Sequence, residues 1–123
     1  MLRKELLEKT FKFDFGLFNS LQDMCFILSD TGEILDMNIS GSIKLEIPTD
    51  QIGGNLFFSL IENDYIEPVK VTFNNCVKYN RSGNTYGKFR VSNRVLDANI
   101  IFTPTYKNWV YGALSLQLKV KLP

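Results

Sequence analysis

The sequence predicts an α+β domain: a five-stranded antiparallel sheet with short helices on one face and an amphipathic helix at the N-terminus. Three observations carry that prediction. Residues 24–38 hold two apolar runs joined by the Asp30-Thr31-Gly32 turn, the pattern of a β-hairpin. Residues 64–79 carry one long helical stripe. Three strand patterns then follow with short turns between them, which is how an antiparallel meander reads.

Taken in order, residues 2–12 place Leu2, Leu6, Leu7 and Phe11 at helical spacing, with Arg3, Lys4, Glu5, Glu8 and Lys9 on the other side. Such a face must pack on something: the strand that follows, a second copy of the chain, or both. Residues 1–17 are therefore expected as a cap on the outer sheet face or a dimer element, and residues 18–123 as the folded domain. In the first strand, Met24, Cys25, Phe26, Ile27 and Leu28 are apolar without alternation, which predicts cover on both faces. Cys25 and Ile27 thus join Leu2, Leu6, Leu7 and Phe11 as candidates for a dimer interface.

Ile39, Ile43, Leu45 and Ile47 suggest a short helix ended by Pro48, and Asp50 starts a turn into Ile52. Leu56, Phe57, Leu60 and Ile61 form a further apolar turn. In the long helix, Pro68 fits a first-turn position, and Ile66, Val69, Phe73, Cys76 and Val77 make one stripe. The last three strands are predicted at residues 85–91, 95–103 and 109–120, with turns at Ser92-Asn93-Arg94 and Lys107-Asn108 and a stop at Pro104.

Composition narrows function. The chain has 123 residues, one domain's worth, with 45% apolar and 22% charged residues, so it can bury a core without staples. The net charge is +1, with the basic residues scattered, so nucleic acid is not an expected partner. No apolar run reaches the length of a membrane span. The start lacks the apolar core of a signal peptide, and Cys25 and Cys76 read as buried hydrophobes, so a cytoplasmic location is expected. Histidine is absent, which removes the commonest base and metal ligand near neutral pH. No metal site is expected.

Several residues give this element order a family resemblance. Asp30-Thr31-Gly32-Glu33-Ile34 ending in Asn38, Ile52-Gly53-Gly54-Asn55-Leu56-Phe57 ahead of the long helix, and Phe102-Thr103-Pro104 followed by Gly112-Ala113-Leu114 occur in the order and spacing of a PAS sensory domain. The resemblance covers roughly residues 18–118. It implies an input module of a signalling protein, such as a sensor histidine kinase of a two-component system or a related regulator. It also implies a homodimer, an effector domain in cis or a partner kinase, and in some members a small ligand between sheet and long helix. The chain departs from the family at its end, where Leu116–Pro123 lacks the Asp of the usual output element.

The cofactor, if any, is unknown, and two branches of the family are argued against. His-ligated haem needs the histidine this chain lacks. The photoadduct flavin branch has a cysteine where Leu56 stands. The interior candidates are Phe26, Leu28, Phe57, Ile66, Val69, Phe73, Cys76, Val77, Phe89 and Phe102, either as a packed core or as the wall of an apolar pocket. Candidate polar anchors are Asn55, Arg90 and Asn99. No catalytic residue is assigned. A small α+β enzyme with a cone-shaped pocket, using Asp36, Asp97, Arg90 or Tyr106, is the alternative from another class. A ligand-free interaction scaffold is the third.

Overall fold

The computed structural model describes residues 19–20, 22–106 and 115–121. In chain order these form β1 (Met24–Leu28), β2 (Ile34–Met37), α1 (Ile39–Leu45), α2 (Thr49–Ile52), a 3₁₀ turn (Phe57–Leu60), α3 (Asn63–Tyr79), β3 (Gly83–Val91), β4 (Arg94–Tyr106) and β5 (Ser115–Lys121). The strands make one antiparallel sheet in the order β2-β1-β5-β4-β3. The leading helix expected over residues 2–12, with Leu2, Leu6, Leu7 and Phe11, lies outside the described residues, as do residues 109–114 of the last predicted strand.

Local chemistry explains most boundaries. In the first hairpin the Ser29 hydroxyl accepts from the N–H groups of Thr31 and Glu33, a side-chain-built turn. Gly32 sits at φ 86°, and a Cβ there would lie 2.7 Å from the Phe58 ring, so glycine is required twice over. Asn38 caps α1 by accepting from the Gly41 N–H. The helix α3 begins at Asn63, and Pro68 stands inside it rather than in its first turn. A proline there removes the bond to the Asp64 carbonyl. The helix ends at Asn80, which adopts the left-handed conformation at φ 53°.

The second hairpin turns on Ser92 and Asn93 alone, since Arg94 already pairs with Val91. Strand β4 continues past the predicted stop at Pro104 to Tyr106. Pro104 pairs with Leu116 where the β4–β5 register shifts, and an irregular ladder tolerates a residue without an N–H.

One face of the sheet carries the core. Met24, Phe26 and Leu28 of β1, Phe89 and Val91 of β3, and Ala98, Ile100 and Phe102 of β4 pack there against Val69, Phe73 and Cys76 of α3. Gly87 lets α3 approach: a Cβ on it would lie 3.0 Å from Ile100 and 3.2 Å from Val69. Cys25 and Ile27 are 0% and 3% exposed, yet they stand outside that core cluster. Strand β1 is therefore buried at every position, as its unbroken apolar run predicts.

Residues 54–62 strap the two sheet edges together. At the β2 edge the Ile34 N–H donates to the Asn55 carbonyl at 2.8 Å, and the Gly54 N–H to the Ile34 carbonyl at 3.0 Å. At the β3 edge the Glu62 N–H donates to the Lys88 carbonyl at 2.8 Å, and Ile61 bridges Phe89. The strap crosses one face of the sheet, over the interior where a ligand was expected.

Candidate functional site: the interior between sheet and long helix

Phenylalanine fills that interior. The strap delivers Phe57 to its centre, where the ring meets Phe26 at 5.4 Å, Phe89 at 5.7 Å, Phe58 at 5.9 Å and Phe102 at 6.0 Å between centroids, all edge-to-face. Phe73 of α3 closes the cluster, 5.3 Å from Phe58 and 5.4 Å from Phe102. These are the separations of favourable aromatic pairs. Of the ten interior candidates, Phe26, Leu28, Phe57, Val69, Phe73, Cys76, Phe89 and Phe102 are buried in one cluster, and Ile66 and Val77 pack on its margin. The residues are brought together as a packed core. Burial pushes the Cys76 thiol above its ordinary value.

The polar anchors are not brought to this interior. The Asn55 amide donates to the carbonyls of Gln51 and Ile52, so it closes the turn after α2. Arg90 is exposed and reaches the Ser59 carbonyl at 3.2 Å. Asn99 is exposed on the other sheet face, between the inward residues Ala98 and Ile100. All three are exposed. Asn99 and Arg90 alternate with inward neighbours, and period two sends them outward. A haem or flavin does not fit among rings at these separations without displacing them. Among the described residues no three His, Cys, Asp or Glu side chains group as metal ligands. Of the groups named for enzymatic chemistry, Asp36 accepts from the Met37 N–H, Asp97 pairs with Lys88 and Arg90 reaches the strap, while the Tyr106 side chain lies outside those described.

Two constellations escaped the sequence reading. Asn38 is fully buried, and its amide oxygen accepts from the N–H groups of Cys25 and Gly41 while its amide nitrogen donates to the Asp23 carbonyl. One side chain thus ties the entry of β1 to the start of α1. The second constellation lies where α3 begins. Tyr65 and Tyr86 meet edge-to-face at 5.5 Å, Lys88 lies 5.6 Å from the Tyr65 ring, and Lys88 pairs with Asp97 at 3.6 Å. A hydrogen bond to Asp97 pushes Tyr86 up, and Tyr65 and then Asp97 push Lys88 up. The direct opposition of Lys88 and Asp97 was legible once the two-residue turn fixed the register.

The sheet order, the strap and the helices packed against the sheet define an α+β class. Solved structures give that class its name: the chain has the PAS fold. It superposes on the PAS domain of nitrogen regulation protein NR(II) from Vibrio parahaemolyticus with a TM-score of 0.72 at 17% identity, covering 89% of this chain and 96% of that one. A PAS domain from a two-component sensor histidine kinase gives 0.70 at 16% identity, covering 92% and 96%. The PAS domain of a protein from Colwellia psychrerythraea gives 0.76 at 13%, covering 88% and 92%. No protein-family model and no curated protein sequence matches the chain.

Proposed function

We propose that this chain is a sensory and dimerisation PAS module, the input of a sensor histidine kinase or a related regulator, acting in the cytoplasm. The observation that carries this reading is the extent of the likeness: the fold accounts for nearly all of this chain and nearly all of each neighbour, and one neighbour comes from a sensor histidine kinase. The domain itself performs no catalysis, and any kinase activity belongs to an effector. Residues 1–17 form the helical cap, with Leu2, Leu6, Leu7 and Phe11 at the contact between two copies. A small apolar ligand enters the interior only by moving a phenylalanine, and the strap that carries Phe57 is the element such a ligand would move. Its displacement would be felt at both sheet edges, because the strap is bonded to both.

Native against denaturing mass spectrometry, with an absorption spectrum alongside, tests the reading. A dimer is the expected native species. Extra mass lost on denaturation would identify a ligand displacing the core rings. A monomer at every concentration tried would overturn the dimerisation half of the proposal.

A further inference from the structure

Strand β3 lies at the edge of the sheet, and its hairpin fixes which backbone groups face outward. The two-residue turn makes Val91 and Arg94 a hydrogen-bonded pair, so Phe89, Gly87, Thr85 and Gly83 also direct their N–H and C=O groups to β4. Arg90, Lys88, Tyr86 and Asn84 turn theirs away from it. The Lys88 carbonyl is taken by the strap. Below it, among the described residues, Asn84 and Tyr86 have no strand beside them, and the Tyr86 carbonyl meets only the Thr85 hydroxyl at 3.3 Å.

Asn84 also borders two hollows on opposite sides of this edge. One, of about 440 Å³, opens on the outer sheet face and is lined by Thr85, Tyr86, Asn99 and Ile101 as well. The other, of about 150 Å³, lies against the end of α3, with Asn75, Cys76, Arg81 and Ser82 in its wall. Successive side chains of an extended strand point to opposite faces. A strand laid along Asn84 and Tyr86 would therefore send neighbouring side chains into the two hollows. The outer one offers an aromatic ring and Ile101. The inner one offers the Arg81 guanidinium, an amide and a hydroxyl, with no carboxylate in its wall.

We propose that the β3 edge at Asn84 and Tyr86 docks an extended peptide segment as an added strand. The segment places an apolar side chain in the outer hollow and, next to it in sequence, a carboxylate against Arg81. Backbone bonds to the edge supply affinity, and the two hollows supply selectivity.

A displayed library of short random peptides, selected on the immobilised chain, is the probe. Enriched sequences are expected to pair an apolar residue with an adjacent Asp or Glu, and their addition to slow amide exchange at Asn84 and Tyr86. Asn84→Pro deletes an outward N–H that no ladder bond uses, and should weaken these peptides about tenfold, the loss of roughly one hydrogen bond. Circular dichroism checks that the fold survives. Arg81→Glu, which leaves the backbone alone, should shift the preference from acidic to basic residues. Failure to enrich any peptide would overturn the proposal. So would enriched peptides indifferent to both substitutions, or protection on a different element.

Discussion

Phe57 is the residue on which the interior depends. Its ring touches four others, and it is anchored by short backbone bonds from the strap. Phe57→Ala should cost about 3–5 kcal/mol in urea unfolding. The variant should also leave a dry apolar cavity that takes up benzene or indole, seen as a ligand-dependent rise in melting temperature that the parent chain lacks. An unchanged response would mean that the core had collapsed around the missing ring. Asn38 acts at the same scale through polar chemistry. Asn38→Ala removes the acceptor of the Cys25 N–H seen at 2.9 Å, so a loss of about 2–4 kcal/mol is expected from the lost buried bonds and the lost cap. Cys25 and Cys76 are both buried, and the Cys76 thiol is held in its protonated form by burial. Iodoacetamide at neutral pH should label neither until denaturant is added, a prediction that mass spectrometry checks directly.

Among the elements, the β3–β4 hairpin has a pH dependence whose sign follows from its side chains. Tyr86 and Lys88 both titrate above their ordinary values in the folded chain. A raised value means the fold favours the protonated form, so the stabilisation is whole below the unfolded-state value and is lost as pH rises through the folded one. Stability should fall on the alkaline side, and Asp97→Asn should flatten that fall, since Asp97 contributes to both shifts. Tyr86 is exposed and Lys88 half-buried, and solvent reaches both, so the effect should shrink in high salt. A pH profile unchanged by Asp97→Asn would sink this account. Legibility in the sequence also divides by element. Hairpins, the α3 stripe and the core phenylalanines follow from spacing, because period two and period 3.6 are local facts. Pro68 was misplaced because helix starts are set by bonds such as that from the Tyr65 N–H to the Glu62 carbonyl, which composition does not show. The exposed positions of Ile39 and Ile43 on α1 were equally hidden, since a seven-residue helix has too few turns for its stripe to choose a face. The exposed positions of Asn55, Arg90 and Asn99 were hidden too, because strand parity and turn capping, both tertiary matters, decide where a polar side chain ends.

For the whole molecule, the sheet order has a consequence for how the chain comes into being. The last strand, β5, lies in the middle, between β1 and β4. During synthesis the β1–β2 and β3–β4 hairpins emerge first and have no ladder between them. Each presents an open edge to solvent until β5 leaves the ribosome, and open edges are where chains pair wrongly. At a translation rate of roughly 5–20 residues per second, every ten codons before β5 prolong that exposure by about half a second to two seconds. A nascent chain stalled short of Ser115 should therefore be a substrate for chaperones, and one released past Lys121 should not.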